Sequence, residues 1–188
     1  LWLVAGDIHL DPFDQSPEPN GYGRDADGAL LDAAVERMRR MAPDPAVVVL
    51  TGDFLAHRFP SLAARYEPGT APQRQALQAM RRMAGAFERA FPHARFVVTL
   101  GNNDAPCGDY RAPLKGPYLA GVARIWAPLV ARGRDSAAFV RDFARGGYYS
   151  LALTGQRRVV VVNSVLFSLV FAGDCHGEER DAGLDELS

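Results

Sequence analysis

Leu1-Trp2-Leu3-Val4-Ala5 is an unbroken apolar run that stops at Gly6-Asp7. Two later runs share its form: Ala46 to Leu50, stopping at Thr51-Gly52-Asp53, and Ala94 to Leu100, stopping at Gly101-Asn102-Asn103-Asp104. Short runs without an apolar/polar alternation predict strands buried on both faces of a parallel sheet. Between them the period changes. Ala29 to Met41 carries Leu30, Leu31, Ala34, Val35 and Met38 at helical spacing, and Pro43 and Pro45 end it. Ala71 to Phe91 repeats the pattern with Leu77, Met80, Ala84 and Phe87 on one face. The connecting stretches, Asp11 to Gly28 and the one after Asp53, read as loops. Strand and amphipathic helix in alternation predict βαβ units, hence an α/β fold.

Beyond the third strand the pattern predicts helices over Leu114 to Val130 and Ser136 to Ala144. Tyr148 to Leu153 and Arg158 to Val162, parted by Thr154-Gly155-Gln156, then read as a β-hairpin belonging to a second sheet. No repeat, low-complexity tract or linker interrupts the 188 residues, so they are expected to form a single domain. Composition narrows the picture only a little. Apolar residues at 48% and charged residues at 23% suit a globular chain. A net charge of -1 gives no reason to expect nucleic-acid binding or attachment to an anionic membrane. No apolar run approaches the roughly 18 residues a membrane span needs. The two cysteines, Cys107 and Cys175, leave one disulfide or two buried thiols equally open.

Chemistry enters at the strand ends. In parallel sheets the ligand crevice lies beyond the carboxyl ends of the strands. Here all three predicted strands end in Gly beside metal-ligand side chains: Asp7 and His9, Asp53, and Asn102. Each alone reads as an ordinary turn residue. Their alignment on one sheet edge favours a metal site. Asp-x-His directs two ligands to one side of an extended segment. The Asp53 carboxylate has an oxygen for each of two cations, and the Asn102 amide offers a neutral oxygen to the second. This donor mixture suits Zn, Fe or Mn better than Ca or Mg. Such an ion pair stabilises the attacking and leaving oxygens of a phosphoryl transfer.

In this order Asp7-Ile8-His9, Gly52-Asp53 and Gly101-Asn102 resemble the calcineurin-like metallophosphoesterase signature. Asp7-Ile8-His9-Leu10-Asp11-Pro12, Thr51 to His57, Gly147-Tyr148-Tyr149-Ser150 and Val161-Val162-Asn163-Ser164 resemble its acid-sphingomyelinase-like phosphodiesterase branch. The resemblance implies a β-sandwich flanked by helices. It also implies two divalent transition metal ions, with Asp7, His9 and Asp53 on one and Asp53 and Asn102 on the other. The implied reaction is hydrolysis of a small-molecule or lipid phosphoester, most simply a phosphodiester, by a metal-activated hydroxide. A polyphosphate- or nucleotide-cleaving relative and a non-catalytic remnant of the fold are the alternatives.

The chain departs from that family pattern twice. Asn103 stands where the family usually has a catalytic His, and a neutral amide cannot deliver a proton. His57, a position the branch does fill with His, is therefore expected to be the general acid, with Asn103 beside it in the catalytic group. Asp104 is expected to support the ligands from behind. The later His and Gly-His-x-His ligands of the family have no counterpart among the four histidines, so the catalytic domain is expected to be incomplete at the C-terminus. Neither His93 nor His176 lies in such a motif. By the same resemblance the protein is expected to be periplasmic or secreted. Cys107 and Cys175 are then expected to be bonded, tying the Asn102 loop to the segment after Val170.

Overall fold

A computed structural model describes residues 1–14, 22–114, 116–132, 136–153 and 156–175. Three short parallel strands carry the fold: β1 (Trp2–Ala5), β2 (Val47–Leu50) and β3 (Arg95–Val98). They lie in the order β1-β2-β3, with Trp2 opposite Val47 and Val47 opposite Arg95. Both crossovers are helical. Helix α1 (Gly28–Met41) starts on Asp27, whose carboxylate accepts from the Leu30 N–H at 2.6 Å, a favoured cap geometry. Helices α2 (Phe59–Tyr66) and α3 (Pro72–Ala90) link β2 to β3.

α2 falls in a stretch whose sequence reads as loop. Phe59, Leu62, Ala63 and Tyr66 do have helical spacing, but Pro60 in the first turn and Pro68-Gly69 just beyond read as loop. A proline early in the helix and burial of Phe59 and Ala63 stabilise it in context.

Burial follows the predicted strands except at the edge. Val48, Leu50, Phe96 and Val98 are fully buried, whereas Trp2 and Val4 of β1 are 54% and 62% exposed. Among the described residues β1 pairs on one side only, and one row of its side chains has no element against it. Phe87 meets Phe96 edge-on at 6.4 Å, and Trp126 packs on Phe54 at 5.4 Å. These contacts seat α3 and α4 (Tyr118–Val130) on the strands. The sequence predicts α4 from Leu114. Pro117 delays it, because the residue before a proline is driven out of the helical region. Leu114 instead donates its N–H to the Asp174 carboxylate at 3.0 Å. The predicted Leu114-Lys115 start also touches residue 115, which lies outside the described residues.

Helix α5 (Ser136–Phe143) precedes a separate antiparallel sheet of β4 (Tyr149–Ala152) and β5 (Arg158–Val161). This is the predicted hairpin, with Tyr149 opposite Val161; its Thr154 and Gly155 lie outside the described residues. Side chains join the two sheets. The Tyr149 hydroxyl accepts from the Val98 N–H and donates to the Val98 carbonyl, both at 2.9 Å, so it satisfies the outward-facing groups of the β3 edge. Arg95 donates to the carbonyls of Ala152 and Leu153. The result is a mixed α/β molecule with two sheets.

Candidate metal centre

Beyond the strands, the chain extends the sheet by single pairings. The His9 N–H donates to the Asp53 carbonyl at 2.9 Å, and Leu10 bridges both Leu55 and Ala26. This small ladder joins residues 9–11, 25–27 and 53–56 where the crevice is expected. Asp7, His9 and Asp53 have φ of 54°, 46° and 53°. Left-handed backbone is uncommon for residues with a β-carbon and marks sites where surrounding structure imposes the conformation. Close approach is a second constraint. A methyl on Gly101 would overlap the Asp53 carboxylate and amide, and one on Gly52 would overlap the Gly101 backbone. The glycines ahead of Asp53 and Asn102 thus let the ends of β2 and β3 touch.

The gathered donors form a compact set. One ligand atom each from Asp7, His9 and Asp53 lies within 4.8 Å of the others. His9 Nδ1 faces the Leu55 carbonyl at 3.2 Å, which fixes the ring and leaves Nε2 toward Asp53 Oδ2 at 3.7 Å. A ring nitrogen held by a carbonyl while the other stays free is the usual arrangement of a metal-binding His. Asp53 Oδ1 accepts from the Asn103 N–H at 2.9 Å. Its two oxygens therefore face different ways, one to His9 and one to the Asn102-Asn103 turn. Two carboxylates and one imidazole fit a borderline divalent cation by donor chemistry.

Asp104 organises the junction. Its carboxylate accepts from the N–H groups of Asp53 (2.9 Å), Phe54 (2.7 Å), Leu55 (3.1 Å) and Gly101 (2.7 Å). One buried side chain so fixes the end of β2 to the end of β3. Burial pushes its carboxyl up to about 7. The Gly101, Leu55 and Phe54 N–H groups oppose the rise, and the charge of Asp53 adds to it.

The two predicted catalytic side chains differ in setting. His57 is exposed and stacks on the His9 ring at 4.1 Å. Asn103 is buried, and its Oδ1 has no hydrogen-bond partner among the described residues. Its backbone N–H, rather than its amide, meets Asp53. Asn102 is half-buried, and its carbonyl accepts from the Tyr110 N–H at 2.9 Å.

Asp25 is the residue the sequence did not disclose. Its carboxylate holds His57 at both the ring and the main chain, and Asp25, His9 and His57 form a second group of potential ligands within 4.8 Å. Asp25 lies 32 residues before His57 in a Pro- and Gly-rich loop, so no spacing motif links the two. The Leu10 bridges to Ala26 and Leu55 bring them together.

Cys107 and Cys175 are bonded, with α-carbons 5.7 Å apart. Beside the bridge, Ala112 pairs with Asp174, and the Ala172 N–H donates to the Tyr110 carbonyl. The loop after Asn102 is thus fastened to the segment after Val170. His93 lies apart from these groups, and His176 falls outside the described residues.

Parallel strands whose carboxyl ends gather Asp, His and Asp around one point define a metallophosphoesterase domain. A family model described as Calcineurin-like phosphoesterase matches residues 2–165. The chain belongs to that family. It is 25% identical to a human acid sphingomyelinase-like phosphodiesterase 3b and 27% identical to the mouse protein of that name. Each comparison covers 89% of this chain and 38% of the relative. Sphingomyelinase phosphodiesterase D of Dictyostelium discoideum is 23% identical over 79% of the chain and 30% of that protein. The chain therefore spans well under half the length of these relatives.

Proposed function

We propose that the chain forms the metal-binding part of the active centre of a metal-dependent phosphodiesterase. The observation that carries this reading is the convergence of Asp7, His9 and Asp53 to within 4.8 Å at the strand ends. Family membership supports divalent metal chemistry. When bound, the cations supply an activated water and neutralise the charge that gathers on the phosphoryl oxygens. Asp7, His9 and Asp53 would hold one ion, and Asp53 with Asn102 the other. Asp53 suits the shared position because its oxygens face opposite partners.

His57 supplies the proton. Its Nδ1 is taken by Asp25, so Nε2 delivers a proton to the leaving oxygen as the P–O bond breaks. The ring is left neutral and takes its next proton from water. Asn103 has no proton to give and contributes through its backbone. The sphingomyelinase names of the relatives support a small-molecule or lipid phosphodiester as substrate. The disulfide supports an oxidising compartment, periplasmic or extracellular.

A second reading, cleavage of polyphosphate or nucleotide anhydrides, is favoured by Asn103, since anhydride leaving groups need no acid. Two measurements test the first. Chelation should abolish hydrolysis, and Zn, Mn or Fe should restore it. His57→Ala should slow alkyl phosphodiesters by about 10²–10⁴-fold while sparing nitrophenyl esters and anhydrides, whose anions leave unaided. Equal losses on every substrate would remove His57 from the mechanism, and alkyl diesters left intact by the wild type would favour the second reading.

A further inference from the structure

Asp25 does more than neighbour His57. Its Oδ1 lies 2.6 Å from His57 Nδ1, and its Oδ2 accepts from the His57 main-chain N–H at 3.1 Å. A single carboxylate so fixes both the position of the residue and the rotation of its ring. Two further features border the histidine. Arg58, next in the chain, has φ 55° and turns it directly into α2. The other ring face stacks on His9 with planes 15° apart. Asp25 is itself held by the two residues that follow it. The Ala26 N–H donates to the His9 carbonyl at 2.9 Å, and the Asp11 N–H donates to the Ala26 carbonyl at 2.8 Å. Asp27 is buried as the cap of α1. A loop carboxylate held this firmly, against a ring 56% exposed, is not explained by a surface ion pair, whose partners are ordinarily loose.

We propose that Asp25 is the positioning residue of the proton donor. It holds the Nδ1–H of His57 and so keeps Nε2 toward the reacting phosphoryl group. A carboxylate that accepts from one ring nitrogen dictates which nitrogen carries the proton and which faces outward. Without Asp25, an exposed imidazole rotates freely and reverts to the Nε2–H form that free histidine side chains favour. The role rests on the proposed function of His57, but the tautomer does not.

Long-range 1H–15N NMR of the full chain, at a pH where the ring is neutral, reads the tautomer directly. His57 resonances are assigned by their loss in His57→Ala. The expected result is Nδ1–H in the wild type and a shift toward Nε2–H in Asp25→Ala, with amide spectra showing an intact fold. An Nε2–H wild-type ring, or an unchanged one in Asp25→Ala, would overturn the proposal whatever the activity. Asp25→Asn guards against misfolding, because it keeps the shape; with its one remaining acceptor on Nδ1 it should retain the wild-type tautomer and give up the main-chain N–H bond. Kinetics then separate the two claims. Asp25→Ala should lower kcat for alkyl phosphodiesters about 10–100-fold, less than the full acid contribution. KM and nitrophenyl turnover should hold, with no further loss on the His57→Ala background. A large His57→Ala effect without an Asp25→Ala effect sinks only the positioning role. Absence of both effects sinks the reading of His57 itself.

Discussion

Asp104 is the side chain on which the junction most depends. It accepts four backbone N–H groups from the ends of two strands, and without it those of Phe54 and Leu55 would be buried and unpaired. Asp104→Asn turns an amide NH₂ toward donors and loses part of the set. Leaving buried N–H groups unsatisfied costs about 1–3 kcal/mol each, so a fall of at least about 3 kcal/mol in denaturant-measured stability is expected. Because Asp104 also fixes the Asp53 backbone, metal affinity should fall about 10–100-fold, as it does when partners behind a ligand are removed. Isothermal titration of metal into the folded variant checks the second effect, and unchanged affinity would disconnect Asp104 from the centre.

Among the elements, one position on the outer edge of β3 is served by the Tyr149 hydroxyl, which bonds both the N–H and the carbonyl of Val98. Tyr149→Phe keeps the ring against Phe139 and Phe143 but strands two buried groups. A loss of about 2 kcal/mol is expected, together with faster amide exchange at Val98. Exchange as slow as in the wild type would contradict the edge-closing role. The hydroxyl's part was not legible from the sequence, which placed Tyr149 in a hairpin strand and in the Gly147-Tyr148-Tyr149-Ser150 motif. The three strands and the hairpin were legible as short apolar runs ended by turn residues, and the two long helices because burial of one face imposes a period on more than ten residues. α2 was not, because Pro60 in its first turn and the Pro68-Gly69 pair after it read as loop. Asp7, His9, Asp53 and Asn102 stood out because a glycine precedes or abuts each at a strand end. Asp25 did not, because its link to His57 exists only once Leu10 has paired with Ala26 and Leu55.

At the scale of the molecule, the Cys107–Cys175 bridge closes a separation of 68 residues. In the chain-entropy account a loop of that length stabilises the fold by about 4 kcal/mol. Reduction should lower the denaturation midpoint accordingly and loosen the 110–114 and 172–174 pairing before the parallel sheet melts. Coincident loss of both would show that the bridge does not act locally. Metal stoichiometry is also set at this scale. Under the proposed assignment, residues 1–188 would offer three side chains to one ion and two to the other, and two protein ligands make a weak cage.

The claim on which everything rests is that Asp53 lies at the heart of a metal centre, and metal content measures it most directly. The chain is stripped with chelator, reloaded with Zn or Mn, desalted and analysed by plasma mass spectrometry, alongside Asp53→Asn at matched circular dichroism. The wild type should retain one ion per chain, and the variant, still folded, should retain well under half of that. A folded Asp53→Asn chain that kept the wild-type metal content would contradict the account.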